Sequence, residues 1–141
     1  MTRADIVALL DRHRDAFERR DADALAAGHD EDGSFASPAH GVVNGRQAIL
    51  EVYRYWFTAF PDMHLTWSDA IVDGNRAAVF WSFAGTAHGP FFGVAGAGSR
   101  VELKGAAEYV FSEQGIASVR HVFDFSSVLV RTGVLKVKPG T

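Results

Sequence analysis

Asp124 is the residue whose type and setting point most directly to chemistry. It closes a strand-like stretch at residues 116–125 and stands between Phe123 and Phe125. An ionised carboxyl is costly to desolvate among apolar side chains, so it either opens onto water or lies in a pocket, where a raised pKa would suit it to proton transfer. The alternative is structural, because an Asp before two serines and an apolar run can accept backbone N–H groups at the start of a helix. The residues alone leave both roles open.

Two further side chains share the strand face of Asp124. Because residues two apart on a strand point the same way, Arg120 and Val122 lie on that face, whereas the residues between them, His121 included, point to the other. Four residues of strand span about 13 Å, so Arg120 and Asp124 are too far apart for a direct ion pair. They are either two separate solvated charges or two groups that face one pocket.

His88 is a second candidate, because an imidazole titrates near neutrality and can donate a proton or a hydrogen bond to a substrate. It stands in a glycine-rich segment, residues 85–99, that lacks the Gly-Lys-Ser/Thr and the following helix of a phosphate-binding loop. The segment predicts a hairpin connection over the mouth of a sheet, with Phe91 and Phe92 as an apolar lid. A loop histidine without a role there would simply be a surface residue. The other histidines show no metal-ligand spacing and the chain has no cysteine, so we expect no metal site.

The elements that must position these residues fall into two groups along the chain. Apolar residues recur at helical spacing over about 2–20, 21–27 and 45–60, and they predict three helices. An acidic turn at 30–33 and a short strand at 34–37 lie between the second and third helices. Strand patterns then follow at about 64–72, 75–87, 100–112 and 116–125. Helices first and a meandering antiparallel sheet second indicate the α+β class.

Length and charge narrow the function further. The 141 residues fit one domain, 1–141, with a polar tail at about 136–141 that we expect to be loose at its end. A net charge of −3, with both signs mixed along the chain, offers no basic surface for nucleic acid or for an anionic membrane. No stretch approaches the ~18 apolar residues of a membrane helix, and the N-terminus does not resemble an export signal. With no cysteine to form disulfides, we expect a cytoplasmic protein.

Two phrases give the chain a family resemblance: Gly-Thr-x-x-Gly-Pro-Phe-Phe-Gly at 85–93 and Phe-Asp-(x)4-Leu-(x)3-Gly at 123–133. Together with the order of elements and Phe-Pro-Asp at 60–62, they resemble the SnoaL-like polyketide cyclases of the nuclear transport factor 2-like superfamily over essentially the whole chain. The resemblance implies a conical α+β barrel, in which about three N-terminal helices pack on a curved, mostly antiparallel sheet. It further implies an apolar small-molecule ligand in the barrel and a homodimer or larger homo-oligomer.

The resemblance also implies a mechanism. The family's general acid/base carboxylate falls on Asp124, with Arg120 and Val122 facing the cavity and with His88 and Arg120 as groups that could polarise the substrate. The chemistry would be an intramolecular aldol condensation of a polyketide-type ester, or a related lyase or isomerase reaction, without a cofactor. The aromatic residues that would bind the substrate are Tyr53, Trp56, Trp81, Tyr109 and Phe111.

Departures from the family pattern keep other functions open. The family's histidine position is Ala87 here, and the histidine stands one residue later, which on a strand reverses its face. The base of a ketosteroid isomerase falls on Ser37 and its protonated carboxyl on Ala107, so that chemistry is disfavoured. Epoxide hydrolase-like chemistry would need a second aspartate, for which Asp69 is the one candidate. The alternative from another class is a non-catalytic small-molecule binding or dimerisation module in which Asp124 only caps the last turn.

Overall fold

The computed structural model describes residues 1–139, in which helices pack against a curved sheet. The helices are α1 (Arg3–Glu18), α2 (Ala22–Ala27), α3 (Arg46–Ala59) and α4 (Phe125–Thr132). The strands are β1 (His29–Ser37), β2 (Gly41–Asn44), β3 (His64–Trp67), β4 (Ile71–Asp73), β5 (Arg76–Ala87), β6 (Ser99–Ser112) and β7 (Gly115–Phe123). The sheet order is β2-β1-β7-β6-β5-β3, with β4 paired to β5. Neighbouring strands are antiparallel except β1 and β7, which are parallel. The predicted α+β class is confirmed.

Helix α1 begins at a capping box and carries one polar ring into the core. The Thr2 side chain accepts the backbone N–H of Asp5, and the Asp5 carboxylate accepts that of Thr2. The buried stripe of the helix has the predicted helical spacing and consists of Ile6, Leu9, Leu10, His13, Ala16 and Phe17. Because His13 belongs to this stripe, its imidazole is only 4% exposed.

Helix α3 lies over the sheet and supplies the aromatic stripe that the sequence predicts. The ring of Trp56 lies 6.2 Å from that of Phe83 on β5 and 6.0 Å from that of Phe123 on β7. Edge-to-face packing of this kind is favourable for aromatic pairs. The space between α3 and the inner face of the sheet is therefore walled by aromatic rings.

Strand β1 is longer than predicted. The expected acidic turn at residues 30–33 is wrong, because these residues belong to β1. Their carboxylates do not prevent strand formation, because Asp30 accepts a hydrogen bond from the Ser112 hydroxyl and the side chains of Glu31 and Asp32 are exposed. The strand pairs with β7 through an irregularity between His29 and Ser34. The added length places the His29 side chain in the core, where it is fully buried.

The segment after Asp124 is helix α4. It ends at Gly133, whose φ of 84° is a left-handed conformation that glycine adopts without strain. Val128 is the residue of this helix that is buried most deeply, at 1% exposure. Beyond the helix, residues 136–139 are exposed, and the rest of the expected loose tail, residues 140–141, lies outside the described residues.

Candidate functional site

An aromatic cavity of about 80 Å³ lies between α3 and the inner face of the sheet. Its wall is formed by residues of α1, α3 and β1 together with the loop residue Met63 and the inner-facing residues of β3, β5, β6 and β7. These residues are Phe17, Phe35, Ser37, Val52, Tyr53, Trp56, Phe57, Met63, Leu65, Trp81, Phe83, Leu103, His121 and Phe123. Such a lining favours an apolar ligand and leaves few groups to orient it.

His121 is the imidazole of the cavity wall. It lies on the inner face of β7, with its ring 5.2 Å from that of Phe35, 6.0 Å from that of Trp81 and 6.4 Å from that of Tyr109. Burial among these rings lowers the pKa of His121 to about 4. No hydrogen bond joins the ring to another residue of the described chain, so neither ring nitrogen is bonded within the protein. The ring is neutral at neutral pH and can accept a proton or a hydrogen bond.

Behind the cavity wall lies a buried polar cluster, formed by Tyr53, His29 and His13. The Tyr53 hydroxyl lies 2.7 Å from Nε2 of His29 and 3.5 Å from Nε2 of His13. Burial lowers the pKa of His29 to about 4, with smaller contributions from His121 and Arg46. Burial also lowers the pKa of His13 well below its ordinary value and raises that of Tyr53. All three side chains are therefore neutral near pH 7.

The tryptophans of the cavity wall are held in place by two different contacts. The indole N–H of Trp56 donates to Nε2 of His40 at 2.9 Å. The ring of Trp81 lies directly over Gly105 of β6, where a Cβ would come within 2.7 Å of its carbon atoms. The indole nitrogen of Trp81 is buried without a hydrogen-bond partner among the described residues. The backbone of β6 therefore fixes one wall of the cavity.

The glycine-rich connection between β5 and β6 packs over one end of α3. Phe91 is 1% exposed and lies 5.2 Å from Trp56 and 5.3 Å from Phe60, measured between ring centroids. The backbone N–H of Phe92 donates to the hydroxyl of Tyr55 at 2.6 Å. Phe91 therefore lies against a wall residue of the cavity rather than projecting toward solvent.

The predicted orientation of Arg120, Val122 and Asp124 is wrong. None of the three lines the cavity: Val122 is 54% exposed, and Arg120 pairs with Glu108 on the outer face of the sheet. Asp124 is exposed and accepts the backbone N–H of Ser127 at 3.1 Å as the N-cap of α4. The alternation of strand faces was correct, but the resemblance assigned the wrong face to the interior.

The remaining predicted site residues divide into two groups. Tyr53, Trp56 and Trp81 line the cavity. Tyr109 and Phe111 do not line it, because they are buried in the core farther along β6. His88 does not line it either, since its side chain is exposed in the connection after β5.

Sequence reasoning missed His121 although a signal for it was present. Val119, His121 and Phe123 form the more apolar alternate face of β7, whereas the other face carries Arg120 and Asp124. The apolar face of a half-buried strand turns toward the core, so this pattern indicates His121 as the interior residue. His29 and His13 gave no comparable signal, because their proximity depends on tertiary packing.

Two other kinds of site are absent from residues 1–139. No group of three or more His, Asp or Glu side chains there could hold a metal ion. No helix in the same range is long and apolar enough to cross a bilayer. The buried histidines lie instead among aromatic rings, such as Phe17 and Tyr109 beside His13.

The fold and the sequence together identify the family. Residues 7–130 match the model of the SnoaL-like polyketide cyclase family, so the chain belongs to that family. This confirms the family resemblance of the two sequence phrases.

Solved structures share the fold at low sequence identity. AclR from Streptomyces galilaeus, a proposed hydroxylase, is 24% identical with a TM-score of 0.82, covering 98% of this chain and 87% of its own. A proposed SnoaL-like polyketide cyclase from Jannaschia sp. CCS1 is 18% identical with a TM-score of 0.82, covering 92% of each chain. TerC, co-crystallised with polyporic acid, is 17% identical with a TM-score of 0.75, covering 90% of this chain and 97% of its own. The comparison with curated proteins gave no match. Identities this low establish the fold alone.

Proposed function

We propose that this protein is a cyclase that needs no cofactor, binding an apolar, oxygenated substrate in the aromatic cavity and using His121 as the general base. The observation that carries the proposal is a neutral imidazole without a protein partner on the wall of an otherwise largely apolar cavity. Family membership supports the reaction class, an intramolecular aldol condensation of a polyketide-type ester or a related lyase or isomerase reaction.

The size of the cavity limits how the substrate binds. Small-molecule sites usually enclose about 300–1,000 Å³, whereas this cavity measures about 80 Å³. A ring-forming polyketide would therefore place only its reacting segment beside His121. The rest of the molecule would lie on the partly accessible wall residues, among them Phe57, Leu65 and Leu103.

Proton transfer at His121 follows from its environment. The unprotonated ring nitrogen takes a proton from the carbon between two carbonyl groups, and the enolate carbon formed attacks a third carbonyl carbon farther along the substrate. A C–H bond breaks, a C–C bond forms, and the resulting alkoxide takes a proton. The imidazolium and the enolate appear together, so their attraction offsets the burial that otherwise disfavours a charged His121.

A non-catalytic ligand-binding module is the second candidate function. The observation that favours it is the low pKa of His121, because a weak base in a small cavity suits hydrogen bonding as well as proton transfer.

The homodimer implied by the family resemblance stays a prediction. Ketosteroid isomerase-like chemistry is less well supported, because the cavity residue Ser37 cannot replace a carboxylate base.

The experiment compares two substitutions on one substrate class. Aromatic esters with a β-keto side chain would be incubated with the wild type, His121→Phe and Asp124→Asn, and ring closure followed by chromatography and mass spectrometry. We expect His121→Phe to lower the rate at least about 100-fold, the usual contribution of a general base, and Asp124→Asn to stay within about twofold. If Asp124→Asn abolishes turnover and His121→Phe does not, the carboxylate is the acid/base and our assignment is wrong.

Binding is measured separately on the same variants. Quenching of Trp56 and Trp81 fluorescence by polyporic acid, the ligand of the related TerC structure, reports occupancy of the cavity. Binding without turnover of any ester tested would favour the non-catalytic module.

A further inference from the structure

His13 lies between the buried polar cluster and the surface. Its Nε2 is 3.5 Å from the Tyr53 hydroxyl. Its Nδ1 faces Gly28, where a Cβ would lie only 3.4 Å away. His13 and Gly28 both line a surface cleft between α1 and α2, whose polar residues are Arg12, Asp15, Arg19 and Gln114. The His13 ring therefore has one nitrogen toward the buried polar cluster and the other toward the surface cleft.

Tyr53 provides the other end of the same connection. It is a wall residue of the aromatic cavity and is itself only 4% exposed. Its hydroxyl carries one proton but has an imidazole nitrogen on two sides, at His29 and at His13. The proton can serve only one of them, so the other imidazole must donate to the hydroxyl oxygen. The two hydrogen bonds of the Tyr53 hydroxyl, to His29 and to His13, can thus run in either direction from donor to acceptor.

His29 marks the closed side of the cluster. It is fully buried, its Nδ1 has no partner among the described residues, and its backbone carbonyl accepts two hydrogen bonds from Arg46. A proton passed to His29 has no onward hydrogen bond. The cleft side of His13 is the open end.

We propose that Tyr53 and His13 form a proton path between the cavity and the cleft between α1 and α2, with His13 as the positioning residue that exchanges protons with solvent. This inference rests on the proposed function, because a proton path serves a site that transfers protons. His121 keeps the proton taken from the substrate carbon and releases it to water when the product leaves. The alkoxide formed in the cavity takes the hydroxyl proton of Tyr53, and Tyr53 takes the Nε2 proton of His13. As that N–H bond breaks, Nδ1 takes a proton from hydronium or a buffer acid in the cleft. His13 ends neutral in its other tautomer.

The path can be tested without any substrate. Exchange of the Tyr53 hydroxyl proton with water would be measured by NMR saturation transfer in the wild type and in His13→Gln. Glutamine keeps a polar group near Tyr53 but cannot pass a proton between two nitrogens. We expect this exchange to be at least tenfold slower in His13→Gln. A hydroxyl signal that is visible only in the variant would also meet this expectation, because fast exchange in the wild type broadens the signal away.

A purely structural role for His13 predicts the opposite sign. Replacing a packed ring by glutamine loosens the core, and local opening then speeds exchange. Unchanged or faster exchange in His13→Gln would overturn the proposal. His40→Gln is the matched control, because His40 also contacts an aromatic wall residue but lies outside the cluster; its exchange should stay at the wild-type rate.

Gly28→Ala keeps the test decisive if His13→Gln fails to fold. Gly28 has an ordinary helical φ of −73°, so alanine fits its backbone, and the added Cβ covers Nδ1 of His13 on the cleft side. The proposal predicts slower exchange here too, and unchanged exchange contradicts it. Failure of the path leaves the His121 assignment intact, since that assignment is tested by turnover of the ester.

Discussion

At the scale of single residues, the site is defined by imidazoles in an aromatic interior rather than by a carboxylate. Burial shifts the pKa values of His13, His29 and His121 downward, so each is a neutral hydrogen-bonding group near pH 7. Asp124 has the opposite setting, because it is exposed and bonded to the first turn of α4. Burial of the side chain thus distinguishes the candidate base, His121, from the helix cap, Asp124.

The capping function of Asp124 gives a stability prediction. Asp124→Ala removes the acceptor for the Ser127 N–H and should lower the free energy of unfolding by about 1 kcal/mol, a typical cost for a lost N-cap. Asp124→Asn retains an acceptor and should cost clearly less. Urea denaturation measures both variants. Equal losses for the two would show that the charge matters and the cap does not.

At the scale of elements, the pairing of β5, β6 and β7 decides which side chains meet. Trp81, Gly105 and Phe123 are direct neighbours across these three strands. The bare backbone of Gly105 lets the Trp81 ring lie over β6, with its centroid 5.7 Å from that of the Phe123 ring. Two residues earlier on β7, the ring of His121 lies 6.0 Å from that of Trp81. A residue without a side chain therefore helps to shape the cavity.

Gly105→Ala tests this arrangement. The new Cβ would overlap the Trp81 ring, so the ring must move, and we expect a loss of about 1–3 kcal/mol from overpacking. The tryptophan emission should shift as Trp81 changes its surroundings. Gly74→Ala is a control for added bulk, because a Cβ there meets nothing within 4 Å, although its φ of 59° adds some backbone strain. An unchanged emission spectrum in Gly105→Ala would contradict the predicted movement.

At the scale of the whole molecule, the buried histidines make stability depend on pH. Their pKa values are lowered in the folded state, to about 4 for His29 and His121. The unfolded chain therefore binds more protons below pH 6.5, and stability must fall as the pH decreases from 6.5 toward 4.

Urea denaturation at pH 7 and pH 5.5 measures the sign and the size of the change in the free energy of unfolding. We expect a loss of about 1 kcal/mol for each buried histidine, His13, His29 and His121, between these two values. His88→Asn, at an exposed position, should show the same loss as the wild type. Stability that is constant or higher at pH 5.5 would mean that the three imidazoles are not kept neutral by the fold.

The sequence was sufficient where a local pattern carries the information. The helical spacing of Ile6, Leu9, His13 and Phe17 predicted α1 and its buried face. The break between the predicted strands 64–72 and 75–87 falls where β4 ends and β5 begins, although residues 64–72 form two strands, β3 and β4, rather than one. The family followed from the two phrases at 85–93 and 123–133, and residues 7–130 match its model. Alternation along β7 separated His121 from Arg120 and Val122 correctly, because strand geometry alone determines that neighbouring residues point to opposite faces.

Only the tertiary structure decided which of those faces is the interior. That choice depends on which side of the sheet α3 covers, and no local pattern of β7 includes that helix. The meeting of His13, His29 and Tyr53 is likewise non-local, since α1, β1 and α3 each contribute one ring over a separation of 40 residues. Asp124 was therefore predictable as a helix cap or an acid, whereas burial, which selects His121 as the candidate base, exists only once the sheet and helix have packed together.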